Sequence, residues 1–202
     1  MERERIITAV VLDRERRAEA SVMLTAFSRE EGLVFLFKRL SGKKTSLVPD
    51  LFDEIECSVS APEGDAPVMF LGQFEVLKRR AGVSASYEKL CAASEIASVA
   101  KSNGANIDER QTLFELIARS LDAIEAHDRH ATVKIKFLYL LARNQGYAIK
   151  EDFFRSLAAD DKSDFSKILA LSTADQTADE PRSERLYEML KRWILSETDI
   201  VF

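Results

Sequence analysis

Short apolar runs between residues 5 and 77 are rich in β-branched side chains and are separated by polar or glycine-containing segments. This pattern is typical of β-strands. The charged segment 13–19 predicts a loop or hairpin tip, and Gly32 predicts a tight turn. The five predicted strands cover Ile6–Leu12, Ala20–Phe27, Leu33–Phe37, Phe52–Val59 and Val68–Leu77. Five short antiparallel strands in about 75 residues predict a small closed or nearly closed barrel.

Near residue 82 the apolar spacing changes to that of amphipathic helices. Asp108 is a candidate helix cap, and Ser172–Pro181 predicts a mobile polar link. The predicted helices are Tyr87–Ser102, a helix after Asp108, His130–Asn144, Glu151–Leu157, Ser163–Leu171 and Arg182–Ser196. The chain is therefore expected to be an α+β protein of two domains. Residues 1–80 would form a five-stranded barrel, and residues 81–202 a helical bundle.

The charge is distributed unevenly along the 202 residues. The whole chain has a net charge of −5, yet residues 1–48 carry ten basic and seven acidic side chains. A protein with this balance can bind a phosphate backbone only through cations concentrated at one place. Residues 36–48 contain four basic side chains and no acidic one, so we expect them to belong to such a place.

Three groups of cations are candidates for phosphate contacts. They are Arg14, Arg16 and Arg17 on the first hairpin, Lys38, Arg39, Lys43 and Lys44 around Gly42, and Lys78, Arg79 and Arg80 after the last strand. A small barrel binds single strands through cationic loops and aromatic platforms. The first seven cations are the predicted nucleic-acid-binding residues, although charge runs of this kind are usually solvated surface. Phe35, Phe37 and Phe52 could stack on bases, but we expect them in the barrel core.

The sequence offers little support for catalysis or a metal site. His127 and His130 are spaced as two zinc ligands could be, but no third ligand follows. Gly42-Lys43-Lys44-Thr45 lacks the second glycine and the residue order of a P-loop. Cys57 and Cys91 show no metal-binding spacing and suit a reducing compartment. We therefore expect no enzyme activity, no cofactor and no metal.

Neither a signal peptide nor a membrane span is indicated. The N-terminal segment has no apolar stretch followed by a cleavage site. No uninterrupted apolar run approaches the roughly 20 residues that cross a bilayer. We expect a soluble, cytoplasmic protein without a membrane partner.

An ordered series of segments over residues 5–155 resembles the RecO family of bacterial recombination mediators. Val11–Glu19 is similar to the family's first hairpin, and Phe27-Ser28 with Gly32 is similar to the end of the strand that follows. Lys38–Thr45 loosely matches the family's basic glycine-containing loop. In the second half, the resembling segments are Leu113–Ile117, Leu121–Glu125 and Phe137–Leu141 with Gly146-Tyr147.

The resemblance implies an N-terminal OB-fold, a helical C-terminal domain and a role in DNA repair and homologous recombination. It implies binding to single-stranded and double-stranded DNA, strand annealing and assistance in loading RecA. The implied protein partners are RecR and the C-terminal tail of single-stranded-DNA-binding protein. Many members carry a four-cysteine zinc module after the Gly-Tyr pair, but Ala148–Leu157 contains no cysteine, so we expect no zinc module.

Two other functions are open at this point. A divergent relative could serve as a protein-interaction adaptor without strong DNA binding, and the acidic second half favours this alternative. An enzyme in the helical half would need a deep pocket that holds a perturbed carboxylate or one of the histidines.

Overall fold

The computed structural model describes residues 4–17, 20–40, 47–60 and 68–202. A closed barrel of five strands comes first along the chain, and helices follow it. The predicted α+β fold is therefore confirmed. The strands are β1 (Glu4–Arg16), β2 (Ser21–Ser28), β3 (Gly32–Arg39), β4 (Glu54–Ser60) and β5 (Val68–Lys78).

The strand order in the closed barrel is β1-β2-β3-β5-β4. Four of the five pairings are antiparallel, whereas β3 and β5 run parallel through the pairs Phe35–Val68 and Phe37–Phe70. This single parallel pairing differs from the wholly antiparallel barrel that the sequence predicted. A closed five-stranded barrel of this kind is OB-fold-like.

The barrel interior is built from one side of each strand, as the two-residue period of a strand requires. Its core consists of Ile7, Ala9, Val11, Val22, Leu24, Ala26, Val34, Leu36, Ile55, Cys57, Val59 and Leu71. Each of these side chains is at most 6% exposed. The alternate residues of the same strands therefore lie on the outer surface of the barrel.

The first strand is longer than the sequence indicated. The predicted loop 13–19 is wrong over its first four residues, because β1 continues to Arg16 and pairs there with Val22 of β2. A register shift between Val11 and Asp13 interrupts the pairing with β2. Such a bulge lets a charged segment extend a strand beyond the closed part of a barrel.

A short segment before β4 is held in an unusual conformation. Phe52 has a φ of 67°, in the left-handed region that an aromatic residue rarely adopts. The carbonyl of Phe52 accepts a hydrogen bond of 2.9 Å from Nη1 of Arg80. The side chain of Arg80 is completely buried and also pairs with Glu54 at 3.1 Å. This buried guanidinium holds the strained segment against the barrel.

Six α-helices follow the barrel along the chain. They are α1 (Tyr87–Asn103), α2 (Arg110–Ala126), α3 (His130–Asn144), α4 (Asp152–Ser156), α5 (Ala159–Ala170) and α6 (Glu180–Glu197). Gly146 has a φ of 86° just after α3, which confirms it as the predicted helix stop. Helix α6 begins inside the predicted link Ser172–Pro181, where the Asp179 side chain caps it by accepting from the Arg182 amide at 3.0 Å.

The chain divides into two compact units. The barrel unit combines residues 1–80 with residues 100–118, and the helical unit combines residues 81–99 with residues 119–202. This grouping adds the end of α1 and the first half of α2 to the barrel predicted for residues 1–80. Within the barrel unit, Gly104 lies against Phe27, and a Cβ atom there would come within 2.9 Å of the ring.

The helical unit has an apolar interior with a charged cluster at its edge. Phe153 and Phe165 pack with their ring centroids 5.1 Å apart. At the edge, Glu95 accepts hydrogen bonds from Lys134 at 3.0 Å, from Lys191 at 2.8 Å and from Tyr187. Burial alone would raise the pKa of Glu95, but these hydrogen bonds outweigh burial and hold that pKa below its ordinary value. The cluster thus joins α1, α3 and α6 through one ionised carboxylate.

Candidate nucleic-acid interface

The predicted arginines of the first hairpin lie at the exposed end of β1. Arg14 pairs with Asp50 at 3.3 Å, and Arg17 pairs with Glu15 at 2.8 Å. All four of these side chains are between 42% and 70% exposed, and Arg16 is exposed as well. Exposed ion pairs of this type contribute about 0–1 kcal/mol. A phosphate can therefore replace either carboxylate at small cost.

The two predicted cations at the end of β3 differ from each other in placement. Lys38 is half-buried, and its Nζ donates to the carbonyl of Gly72 at 2.9 Å and lies 5.2 Å from the centre of the Phe74 ring. Burial lowers the pKa of Lys38. Arg39 is exposed and pairs with none of the carboxylates in the described part of the chain. Arg39 is thus the better placed of the two for a phosphate contact.

The remaining candidate cations follow Gly42 and the last strand. Lys43 and Lys44 lie outside the described residues, so their placement stays a prediction. Among the cations after the last strand, Arg79 is 62% exposed and lies 3.4 Å from Asp53. Arg80 was wrongly considered as a phosphate contact, because its side chain is 0% exposed and fully engaged inside the protein.

An apolar strip lies on the outer face of β2, β3 and β5. We call Met23, Phe35, Phe37 and Phe70 the aromatic strip. Phe37 is directly opposite Met23 on β2 and Phe70 on β5, so these three side chains share one face of the sheet. The Phe37 and Phe70 rings meet edge to face with centroids 5.9 Å apart, and Phe70 is 44% exposed. Arg39 follows Phe37 by two residues and lies on the same face.

The aromatic strip corrects one expectation from the sequence. Phe35 and Phe37 were expected in the barrel core, but the core positions of β3 are Val34 and Leu36, so both phenylalanines face outward. Phe52 is buried as expected, at 3% exposure. An uninterrupted apolar strand does not reveal which of its two faces is inside. The signal that could have found the strip is the basic pair Lys38-Arg39, which directly continues the same strand.

One end of this outer face is covered and the other is open. Phe27 is fully buried and lies with Leu33 against Gly104 in the 3-10 turn Gly104–Asn106. The Arg29 guanidinium lies 4.7 Å from the centre of the Phe114 ring in the same unit. The segment 100–118 therefore covers the Phe27 end of the face, and the aromatic strip remains accessible at the Met23 end.

The face made by β1, β4 and the second half of β5 is acidic. An open depression of about 650 Å³ there is lined by Glu4, Ile6, Glu56, Cys57, Ser58, Gln73, Phe74 and Glu75. Glu56 and Glu75 stand directly opposite each other on paired strands. Three carboxylates would repel a phosphate backbone, so this face is unsuited to nucleic acid. The aromatic strip differs from this face, because its central side chains are apolar and Arg39 lies on the same side.

The helical unit contains a groove of a different chemistry. Its volume is about 590 Å³, and its lining residues are Lys136, Tyr139, Leu140, Arg143, Lys150, Phe154, Ser166, Leu169 and Ala170. The lining is largely apolar and includes three cations but no carboxylate. Burial lowers the pKa of Lys136, whose Nζ donates to the Leu171 carbonyl. This groove suits a ligand that is both apolar and negatively charged.

Cys57 and His130 have different surroundings. Cys57 is inside the barrel, and burial raises the pKa of its thiol to about 12. His130 is half-buried near the start of α3, and its Nε2 has no hydrogen-bond partner in the described structure. Within the described ranges, no three His, Cys, Asp or Glu side chains come together as a metal site.

The comparisons with known proteins add no assignment. The chain matches no family model, and a search of curated proteins finds no match. Among the described helices, none has both the length and the apolar character needed to cross a membrane.

Proposed function

We propose that the protein is a RecO-like DNA repair and recombination mediator that binds single-stranded DNA on its barrel. The observation that carries this proposal is the aromatic strip with Arg39 at its end, open to solvent on the outer face of β2, β3 and β5. Stacking of bases on aromatic rings beside a cationic path is the way such barrels bind single strands. The protein acts by binding and positioning strands, without catalysis of its own.

The charge distribution also favours the aromatic strip as the binding surface. The acidic depression leaves the barrel with one repulsive face, so an oligonucleotide is directed to the aromatic strip. Arg14 and Arg16 are opposite the core residues Leu24 and Val22, so they leave β1 on the other face from Met23, and Arg17 follows at the end of the strand. A strand that crosses the aromatic strip can reach these cations only by passing over the exposed end of β1. By holding unpaired bases, the protein would promote annealing and, together with RecR, assist RecA loading.

The experiment is a fluorescence anisotropy titration of a labelled oligothymidine across a salt series. We expect binding at low salt and a linear loss of affinity with the logarithm of the salt concentration. Arg39→Ala should weaken binding and flatten the slope by about 0.7, the value for one phosphate contact on a single strand. Arg5→Ala is the matched control, since Arg5 lies near the start of β1, at the opposite end of that strand from Arg14 and Arg16, and pairs with Glu31 at 2.7 Å. A wild-type protein that fails to bind at low salt overturns the proposal.

A second candidate function is a protein-interaction adaptor, and the groove in the helical unit favours it. Three cations around an apolar floor fit a peptide with an aromatic residue and acidic groups. The C-terminal tail of single-stranded-DNA-binding protein is a partner of this chemistry. The groove is compatible with either function, because a mediator also needs such a partner.

The groove makes a separate prediction about peptide binding. A labelled acidic peptide that ends in an aromatic residue should bind the wild-type protein, and the charge reversals Arg143→Glu and Lys150→Glu should each weaken it about tenfold or more. Arg155→Glu is the control, because Arg155 is 82% exposed and lies outside the groove. Peptide binding without DNA binding would identify the adaptor. Equal effects of all three reversals would remove the groove as the site.

A further inference from the structure

Two of the arginines predicted to contact phosphate already hold carboxylates. Arg14 lies 3.3 Å from Asp50, and Arg17 lies 2.8 Å from Glu15. A carboxylate and a phosphate present similar oxygen pairs to a guanidinium. A phosphate and each of these carboxylates can therefore compete for the same guanidinium.

Asp50 is held in this position by its own turn. Its Oδ1 accepts from the Leu51 amide at 2.9 Å, and its amide donates to Oδ2 of Asp53 at 2.9 Å. Asp53 is buried, and Phe52 beside it is fixed in the left-handed conformation. The Asp50 carboxylate is thus positioned by the backbone before it meets Arg14. A preorganised partner competes better than a mobile one, because less entropy is lost on pairing.

Glu15 lies at the border of the aromatic strip. It is directly opposite Met23 in the β1–β2 pairing, and the long β1 strand extends it to this position. Its negative charge therefore stands beside the surface where the bases would stack, and it opposes an approaching phosphate directly. Asp13 is two residues away, but the hydrogen bond from Lys101 at 2.7 Å holds its pKa below the ordinary value and keeps its charge paired.

We propose that Asp50 and Glu15 are built-in competitors for the DNA backbone, which keep the affinity of the barrel for single strands low and readily reversible. The inference rests on the proposed function and names its regulation. Binding exchanges the Arg14–Asp50 and Arg17–Glu15 pairs for Arg–phosphate pairs, and release restores the internal pairs. A surface of this design releases a strand without a conformational change in the fold, because each guanidinium that loses its phosphate pairs again with the Asp50 or Glu15 carboxylate.

The test uses Asp50→Asn, Glu15→Gln and the double variant in the anisotropy titration with oligothymidine. Asn keeps the Oδ1 acceptor of the turn, so the segment around Phe52 is preserved, and thermal unfolding of each variant checks this. We expect each substitution to tighten binding about two- to fivefold, the range for releasing an exposed ion pair. The salt slope should steepen by about 0.7 for each arginine that becomes available.

Glu31→Gln is the matched control, because it makes the same change in net charge at the Arg5 pair, about 30 Å from Arg14 along β1. A double-mutant cycle adds specificity: Arg14→Ala should abolish the gain from Asp50→Asn. If Asp50→Asn and Glu15→Gln bind no tighter than Glu31→Gln while the wild-type protein binds, the inference is wrong and the proposed function survives. If the wild-type protein and all variants fail to bind, the proposed function fails.

Discussion

Replacement of Arg80 by alanine is expected to destabilise the barrel unit by about 3–5 kcal/mol, the usual cost of removing one partner from a buried ion pair. The Arg80 side chain is 0% exposed and donates to the Phe52 carbonyl at 2.9 Å, to Glu54 at 3.1 Å and to the Ala118 carbonyl at 3.5 Å. Alanine would leave the Glu54 carboxylate and two carbonyls without their donor. It would also release Phe52 from a backbone conformation that is strained for a non-glycine residue.

Urea or thermal unfolding of the purified variant measures this loss. Arg17→Ala is the control, since Arg17 and its partner Glu15 are 58% and 57% exposed and their pair at 2.8 Å should contribute at most about 1 kcal/mol. Arg80→Lys should recover only part of the stability, because one ammonium group cannot reach three acceptors in the guanidinium geometry. Equal unfolding midpoints for the two alanine variants would contradict the structural role of Arg80.

The second large effect is expected at the aromatic strip. Phe37→Ala and Phe70→Ala should each weaken oligothymidine binding by about 1–3 kcal/mol, or roughly 5- to 150-fold, if one base stacks on each ring. The two rings contact each other edge to face at 5.9 Å, so the double variant should cost less than the sum of the single variants. The salt slope should stay unchanged, because no phosphate contact is lost.

The unchanged salt slope distinguishes the loss of base stacking from the loss of a phosphate contact, because Arg39→Ala is expected to flatten the slope. Leu77→Ala provides the control for the loss of an exposed apolar side chain on β5, where Leu77 is 50% exposed. Phe37→Leu keeps the apolar volume without the ring and should bind nearly as weakly as the alanine variant. If Phe37→Ala and Phe70→Ala both bind with wild-type affinity, the aromatic strip is not the binding surface, even if the cations still contribute.

Much of the barrel could be predicted from local patterns, and the errors in that prediction have physical reasons. The five strands were identified because each is a short run with two-residue alternation or continuous apolar character. The charged residues 13–16 were assigned to a loop, since no local pattern indicates a bulge that extends β1. The parallel pairing of β3 with β5 joins residues more than 30 positions apart, and strand sequences do not state their partners.

The candidate site was only partly accessible to the same reasoning. Arg14 and Arg17 are exposed as a hairpin-tip hypothesis requires, but their pairing with Asp50 and Glu15 depends on the turn before β4 and on the length of β1. Three consecutive cations at the end of β5 look equivalent in sequence, yet Arg79 is exposed and Arg80 is buried. The exposure of Arg79 and the burial of Arg80 follow from the direction in which the chain leaves the strand.

The sequence by itself determined that this protein is an α+β chain with a strand-rich first part and a helical second part. That result follows because the period of apolar residues is a local property, read from neighbours within one or two turns. Only the tertiary structure decided which face of β3 is inside, and therefore that Phe37 faces solvent beside Arg39. The physical reason is that both faces of that strand are apolar, so only the closure of the barrel distinguishes the interior from the surface.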